Sequence, residues 1–281
     1  MTNIEALDLF ERYLREEKKS SENTTSNYLR DIRQMSEYIA DNFSLTIETA
    51  TEDSLQEYIS FLRDNGKSVA TVSRNIASIK CMYTIFCIKQ YLKVNPSLKL
   101  VPDKCTHKLP DVLSVEEVDK LLSQPRCVDA KGYRDKAMLE LMCATGMRVS
   151  ELLDLNIMDV SIQRSEIKCK SKNKERTIPI YDEANKALDD YISLVRPQMI
   201  NKEDENALFV NVSGDRMSRQ GFWKIIKFYT NKGNINKDIT PHTLRHSFAA
   251  HLIQKGTDLE SLKNIMGHAD ISSTQMYTSY A

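Results

Sequence analysis

The stretch TPHTLRHSFAAHL, residues 240–252, carries three of the five histidines of this 281-residue chain, together with one arginine. Thr240 followed by Pro241 predicts the start of a helix, because threonine caps a helix N-terminus and proline fits its first turn. His242 and Arg245 then fall in the first turns of the helix, where free main-chain amides favour an anion. Since a guanidinium matches a phosphate through two hydrogen bonds, we predict a phosphate contact here.

Two other interpretations of this cluster stay open at this point. His242 and His246 are four residues apart on one helix face and could bind zinc. The cation at Arg245 disfavours a metal ion, and the glutamate that usually follows the first histidine in such sites is missing. In the other interpretation, His242 caps its own helix and Arg245 pairs with a surface acid. Neighbouring motifs have to decide between them.

The length of the chain favours two domains. The stretch NPSLKLVPDKCTHKLPDVL (95–113) has three prolines and little periodicity. It predicts a linker, placed at 99–110, between a first domain of residues 1–98 and a second of residues 111–281. No run approaches the roughly 18 apolar residues that span a bilayer. The six cysteines form no CxxC pair, which is typical of reduced thiols, so we expect a soluble, cytoplasmic protein.

Charge is unevenly distributed along a chain whose formal net charge is zero. Residues 1–64 contain 14 Asp or Glu against 7 Lys or Arg, whereas residues 65–102 contain six Lys or Arg and no acid. Residues 216–237 have six Lys or Arg, and residues 239–257 have two plus three histidines, again with no acid. Each run alone is typical of a solvated helix face, but three together favour a nucleic-acid partner.

Apolar periodicity predicts a mainly α protein with a small β-hairpin or sheet in the second domain. Four apolar stripes in the first hundred residues predict four helices, one of them capped by Thr51 and the last carrying Arg74 and Lys80 outward. Ser114 and Glu117 form a capping box that opens the second domain. Two strands are predicted around the turn KSKNKE (170–175), the second an edge strand because of Pro179. The helices predicted after Ser114 cover residues 135–144, 149–155, 184–196, 218–230, 241–254 and 258–266, with a short segment at 272–280.

Four further motifs bear on the phosphate prediction. ATGMRVSELLDL (144–155) places Arg148 at a glycine turn that enters a helix, with Glu151 one turn later. The turn KSKNKER (170–176) supplies lysines, MGH (266–268) presents His268 after a glycine, and STQMYTSY (273–280) contains Tyr277. Each motif alone is a weak signal.

Taken in order, these residues resemble the active-site set of the tyrosine recombinase, or phage integrase, family. The resemblance covers nearly the whole chain, through DKAMLELMCATGMRVSELL, NKERTIPI, TPHTLRHSFAAHLI and LKNIMGH, and is most like the short Xer-type site-specific recombinases. It implies a helical, SAM-like core-binding domain, a mixed α/β catalytic domain, and a C-shaped clamp. The implied partner is double-stranded DNA with paired half-sites, bound by a homo-tetramer or by a hetero-tetramer with a paralogous recombinase.

The resemblance also implies roles for individual residues. Tyr277 is the expected nucleophile, which attacks a DNA phosphodiester and forms a 3'-phosphotyrosine without a metal or other cofactor. Arg148 and Arg245 are expected to hold the phosphate oxygens. His242 is expected to complete this set and is a candidate base, and His268 is expected to orient the same phosphate. Glu151 is expected to fix Arg148 rather than to touch DNA, while His246 and His251 match no catalytic position and are expected to pack or to contact backbone phosphates.

Two features depart from the family pattern. Its hairpin turn usually reads Gly-Lys-Gly-x-Lys, whereas this chain has no glycine in Lys170-Ser171-Lys172-Asn173-Lys174. We expect Lys172 to be the general acid, with Lys170 as the alternative. Relatives also continue after the nucleophile into a helix that docks on a neighbouring subunit, and only residues 278–281 follow here. Either the sequence is trimmed or subunit contacts are made differently.

Several functions are compatible with these motifs. The leading hypothesis is an Xer-type recombinase that resolves chromosome dimers. An integrase or excisionase of a mobile element has nearly the same pattern, and a type IB topoisomerase uses a similar residue set. The altered lysine turn also permits a DNA-binding protein with weakened catalysis.

Overall fold

The computed structural model describes residues 1–103, 109–171, 174–202, 205–267 and 270–280. The chain forms two compact units, Met1–His107 and Lys108–Ala281. The described part of the first unit is helical, and the second adds a three-stranded antiparallel sheet. The predicted fold class is therefore confirmed. Within the described ranges, no helix has the length and apolar character that crossing a membrane requires.

The first unit consists of helices that share one apolar core. Its helices are α1 (Asn3–Arg12), α2 (Glu22–Phe43), α3 (Glu52–Asp64) and α4 (Val69–Ile88), with a π-helical turn at Tyr13–Glu17. Thr51 caps α3 as predicted, since its hydroxyl accepts from the amide of Ser54. The four predicted apolar stripes meet in the interior, and their largest fully buried side chains include Phe10, Tyr58, Tyr83 and Phe86.

The basic run of residues 65–102 differs from its prediction. Arg74 does not extend freely from α4, because its guanidinium lies 2.6 Å from Asp31, a carboxylate that is 2% exposed. Lys89 and Lys99 likewise pair with acids of the first 64 residues, Glu17 and Glu52. Half of the six cations are thus neutralised within the unit. The basic run therefore forms less of a basic face than its sequence predicts, because folding brings it against the acidic segments of residues 1–64.

The second unit combines helices with a small sheet. The helices are α5 (Val115–Leu122), α6 (Ala130–Thr145), α7 (Val149–Asp154), α8 (Asp182–Asp190), α9 (Arg196–Met199), α10 (Arg219–Lys232), α11 (Pro241–Gln254), α12 (Leu259–Met266) and α13 (Ser272–Gln275). A π-helical turn at Tyr191–Val195 joins α8 to α9, and 3-10 turns lie at Ile157–Asp159 and Met276–Tyr280. The predicted caps at Ser114 and Thr240 are present.

The sheet has the order β1 (Val160–Ser161), β2 (Glu166–Ser171) and β3 (Lys174–Pro179). The two predicted strands are confirmed, and β3 is an edge strand as Pro179 indicated. The two-residue strand β1 was not predicted. It exists through its pairing with β2, in which Val160 lies opposite Ile167.

The sequence motifs of the second unit come together around the end of α6, helix α11 and helix α12. Gly146 ends α6 in the left-handed conformation, with φ of 56°, and α7 begins three residues later, at Val149. Helix α11 packs beside this turn, so that a Cβ on Gly146 would lie 2.2 Å from the ring of Phe248. The last turn of the chain rests on α11 and α12 in a small cluster that buries Tyr277 with Ala249, Leu262 and Met266.

The close approach at Gly146 gives a stability prediction. Gly146→Ala should destabilise the second unit more than Gly256→Ala, because both add a Cβ at positive φ but only Gly146 faces a neighbouring ring. We expect a loss of about 1 kcal/mol for Gly256→Ala from backbone strain, and about 1–3 kcal/mol more for Gly146→Ala from overpacking. Urea unfolding followed by the fluorescence of Trp223, the single tryptophan, measures both. Equal losses would contradict the packing argument.

Candidate active site

Arg148 lies at the N-terminus of α7 and faces a cavity. Its main-chain amide donates to a carboxylate oxygen of Glu151 at 2.8 Å, and its Nη1 donates to the other oxygen at 3.1 Å. Its Nη2 donates to the carbonyl oxygen of Gly267 at 2.8 Å. The side chain nevertheless remains 39% exposed. Glu151 therefore orients Arg148 and leaves part of the guanidinium accessible to a ligand.

Glu151 also receives a second arginine, which the sequence reasoning did not assign. Arg176, on β3, donates from both terminal nitrogens to the two carboxylate oxygens at 3.0 Å, and from Nε to the carbonyl of Ile265 at 3.0 Å. Burial favours a raised pKa for Glu151, but the hydrogen bonds and charges of Arg176 and Arg148 outweigh it and lower the pKa to about 2. The sequence does contain a sign that Arg176 points inward, because it lies two residues before the buried Ile178 and therefore on the same face of β3.

Arg245 is the least exposed cation of the site. It is 6% exposed, and its terminal nitrogens donate to the carbonyl oxygens of Gly146 at 2.6 Å and Met266 at 2.7 Å. Among the described residues it forms no ion pair with a carboxylate. Burial and the charge of Arg148 lower the pKa of Arg245 to about 10, so the group is still a cation at neutral pH. A buried cation held only by carbonyl dipoles is electrostatically suited to an anionic ligand.

The phenol of Tyr277 is hydrogen-bonded to a histidine that had been assigned no catalytic role. Its Oη lies 2.6 Å from Nδ1 of His246, and the residue is 1% exposed. Burial raises the pKa of Tyr277 to about 12, although the charge of Arg245 acts in the opposite direction. His242, one turn before His246, has its ring centroid 6.4 Å from the His246 ring. The four-residue spacing of the two histidines is visible in the sequence, whereas the contact with Tyr277 joins residues 31 positions apart and leaves no local pattern.

These groups share one cavity of about 440 Å³. It brings together four of the predicted residues, Arg148, His242, Arg245 and Tyr277. Its other lining residues are Val149, Ser150, Arg219, Pro241, His246, Ser273 and Met276. Arg219, the first residue of α10, is a further cation that the sequence did not single out.

Among the described residues, neither Lys170 nor His251 lines this cavity. Lys172 and His268 lie outside the described residues. Lys170, the alternative to Lys172, places its Nζ 2.7 Å from Asp159, and this carboxylate raises the pKa of the ammonium group. His251 has its Nε2 2.9 Å from the carbonyl oxygen of Leu113, so it packs against the start of the second unit.

Comparison with known proteins identifies the family to which this site belongs. The profile of the phage integrase family matches residues 111–281, and that of the phage integrase N-terminal SAM-like domain matches residues 7–87. The chain belongs to the phage integrase family. The resemblance read from the motifs is thereby confirmed, including the helical SAM-like first part and the catalytic second part.

Named relatives narrow the placement within this family. The tyrosine recombinase XerD of Oceanobacillus iheyensis is 44% identical over 97% of this chain and 93% of its own length. XerD of Staphylococcus epidermidis is 42% identical over 95% of this chain and 90% of its own length. The XerH site-specific recombinase, solved with a palindromic difH substrate, shares the fold with a TM-score of 0.79 and 22% identity, over 98% of this chain and 81% of that one. The predicted enzyme class, a tyrosine recombinase of the Xer type, is confirmed by the XerD relatives.

The lowered pKa of Glu151 gives a pH-dependent prediction. A carboxyl whose pKa is depressed from about 4.5 to about 2 stabilises the fold above pH 4.5, and this stability is lost as the pH falls toward 2. Glu151→Gln should therefore lower the free energy of unfolding by roughly 3 kcal/mol at pH 7. The difference from the wild type should shrink between pH 4.5 and pH 3, as measured by urea unfolding with Trp223 fluorescence.

A matched control is Glu260→Gln, which removes a carboxylate that is 60% exposed and pairs with Lys263 on the surface of α12. Such exposed pairs contribute little, so no measurable change is expected. A constant difference between wild type and Glu151→Gln across the whole pH range would show that the charge of Glu151 does not stabilise the site.

Proposed function

We propose that this protein is an Xer-type site-specific recombinase that cuts and rejoins duplex DNA through a 3'-phosphotyrosine at Tyr277. The observation that carries the proposal is the buried cation Arg245, which shares a cavity with Arg148, His242 and Tyr277. A phosphodiester is an anion of the size and charge that two guanidiniums can hold. The similarity to XerD recombinases over nearly the whole chain supports the same function.

The proposed reaction is a transesterification. The Tyr277 oxygen attacks the phosphorus atom, a bond between them forms, and the bond from phosphorus to the 5' oxygen breaks. Arg148 and Arg245 bind the non-bridging oxygens and offset the charge that develops on them in the transition state. His242 is assigned to the same oxygens, because among the described residues its ring makes no hydrogen bond and it lines the cavity. The energy of the broken bond is retained in the protein–DNA link, so rejoining needs no nucleotide cofactor.

Two residues outside the described ranges complete the proposal. Lys172 is proposed to protonate the leaving 5' oxygen, and Lys170 is the weaker candidate because its ammonium group pairs with Asp159. His268 is proposed to hold the phosphate. It directly follows Gly267, whose carbonyl oxygen accepts from Arg148. Glu151 acts through Arg148 as a positioning residue.

The larger assembly is also a proposal. We assign residues 1–98 to a core-binding domain, 99–110 to a linker and 111–281 to the catalytic domain. The partner is double-stranded DNA with paired half-sites, bound by a tetramer of this chain alone or with a paralogous recombinase. By paired half-sites we mean a DNA site like the palindromic substrate in the XerH complex. Resolution of chromosome dimers is the proposed task, and it would place the protein in the cytoplasm with the chromosome.

The nucleophile is tested by trapping the covalent intermediate. Denaturing capture of protein-linked fragments from sheared genomic DNA of the source organism supplies the target site, and nicked suicide duplexes are built on it. The wild type should form a 3'-linked adduct, and Tyr277→Phe should form none because it lacks the attacking oxygen. The matched control is Tyr280→Phe, three residues later, which should react within a few-fold of the wild type. An adduct in Tyr277→Phe, or none in the wild type, would refute the proposal.

The phosphate contacts are tested on the same duplex. Arg148→Ala and Arg245→Ala should each slow single-turnover cleavage by about 100-fold or more, the usual effect of removing one group that stabilises transition-state charge. Arg164→Ala is the control, because Arg164 is 77% exposed and pairs only loosely with Glu166 at 3.7 Å. Trp223 fluorescence verifies folding of each variant. Cleavage at the wild-type rate by Arg148→Ala would remove this arginine from the reaction.

A further inference from the structure

His246 lines the cavity but is assigned no contact with the phosphate above, and its ring is hydrogen-bonded to the nucleophile. We propose that His246 is the proton acceptor that activates Tyr277, taking the phenolic proton on Nδ1 during strand cleavage. The inference rests on the proposed function, since it assigns a further catalytic residue to that reaction. It gives His246 a direct role in place of the packing or backbone-phosphate role expected from the sequence.

The geometry suits a direct proton transfer. The Tyr277 Oη and the His246 Nδ1 are 2.6 Å apart, a distance typical of a strong hydrogen bond. The two rings are tilted by 45° with centroids 5.7 Å apart, so the contact runs edge to edge through the polar atoms. His242 is one helical turn further away from the phenol along α11, and no described hydrogen bond joins the two. Of the two histidines in the cavity, His246 is therefore the one in position to receive the proton.

Both partners are fixed by their surroundings. His246 lies in the second turn of α11, whose start is held by the cap of Thr240 on Thr243. Tyr277 packs in the apolar cluster with side chains of α11 and α12, where it is 1% exposed. A proton acceptor that is preorganised against the nucleophile needs little rearrangement before the reaction.

The charges around His246 keep its ring neutral. From α11 it faces His242 and Arg245, from the last turn Tyr277, and across the cavity the guanidiniums of Arg148 and Arg219. No carboxylate lines the cavity in the described part of the chain. Burial lowers the pKa of His246, and His242 and Arg245 lower it further. The phenol keeps its proton at neutral pH, so the hydroxyl donates and the neutral imidazole accepts at Nδ1 in the tautomer protonated at Nε2.

The bond changes and proton transfers of this step need no reactant beyond the groups already named. As the bond from Oη to phosphorus forms, the phenolic proton moves to Nδ1 and the bond from phosphorus to the 5' oxygen breaks, with the proton for that oxygen coming from the lysine acid proposed above. The imidazolium that results lies next to an anionic phosphate, which favours the charge. During rejoining, the 5' hydroxyl attacks phosphorus and passes its proton back to the lysine amine, while the bond from Oη to phosphorus breaks and the imidazolium returns its proton to Oη.

The test compares His246→Ala and His246→Asn with the wild type in single-turnover cleavage of the suicide duplex from pH 5 to pH 9. The asparagine side chain can still hydrogen-bond to the phenol but cannot accept its proton. Both variants should cleave about 100-fold more slowly, the low end of the effect of a general base, with DNA affinity within a few-fold. At low pH the wild-type rate should rise about tenfold per pH unit, and it should become constant above the pKa of His246, which lies below the ordinary histidine value of about 6.5. In both variants this rise of the rate with pH should be lost.

A second measurement separates proton transfer from positioning. Tyr277 is replaced by 3,5-difluorotyrosine, whose phenol is a stronger acid and depends less on a base. The fluorinated residue should restore at least tenfold of the lost rate in His246→Ala and change the wild-type rate little. His251→Gln serves as the control for loss of a histidine from the same helix and should cleave at the wild-type rate, because His251 does not line the described cavity and its ring is hydrogen-bonded to the Leu113 carbonyl.

The outcomes distinguish this inference from the proposed function. If the wild type forms no adduct that depends on Tyr277, the proposed function itself fails. If that adduct forms but His246→Asn cleaves at the wild-type rate with the wild-type pH profile, His246 only positions the phenol and the inference is wrong. Wild-type cleavage by His246→Ala, or equal effects of the fluorinated tyrosine in both backgrounds, would overturn it as well.

Discussion

The site depends on the burial of one guanidinium, that of Arg245. A buried cation is costly unless its donors are satisfied, and here the carbonyl oxygens at the ends of α6 and α12 satisfy two of them. This requirement joins three helices, because Arg245 comes from α11, Gly146 from the turn after α6 and Met266 from the end of α12. Carbonyl dipoles offset the charge only in part. The fold thus holds a cation in place and leaves its charge available to a ligand.

Glu151 offsets the charge of the two other arginines, Arg148 and Arg176. One carboxylate accepts two hydrogen bonds from the guanidinium of Arg176, one from the guanidinium of Arg148 and one from the Arg148 main-chain amide, so its charge is shared between a structural and a cavity-facing cation. Among the described residues, the cavity itself is lined by the guanidiniums of Arg148, Arg219 and Arg245 and by no carboxylate, so it is positive. A chain with a formal net charge of zero can therefore present a strongly cationic site, because the excess is local. The same field favours a neutral ring at His246.

The features that the sequence predicts correctly depend on residues close together in the chain. The caps at Thr51, Ser114 and Thr240 depend on side chains within three residues of the amides they bind, and all three are present. Apolar periodicity located the helices of both units for the same reason. The family motifs supplied residue types in order, and four of the predicted residues share the cavity.

What the sequence could not predict depends on contacts between distant segments. The strand β1 exists only beside β2, and the pairing of Arg74 with Asp31 joins residues 43 positions apart. Arg176 reaches Glu151 across 25 positions, and His246 reaches Tyr277 across 31. Composition marked residues 65–102 as basic, but ion pairing across the unit neutralises half of its cations. Such pairs are set by the fold and leave no periodic trace in the chain.

The central claim is that two guanidiniums and the Tyr277 phenol converge on one DNA phosphate. It is tested most directly by a crystal structure with orthovanadate and the two DNA ends of the cleaved site, which together mimic the transition state. The account predicts vanadium bonded to the Tyr277 oxygen and to the 5' oxygen on opposite sides, with Arg148 and Arg245 donating to the equatorial oxygens. Vanadate bound away from Tyr277, or an Arg245 that contacts only the carbonyls of Gly146 and Met266, would contradict it.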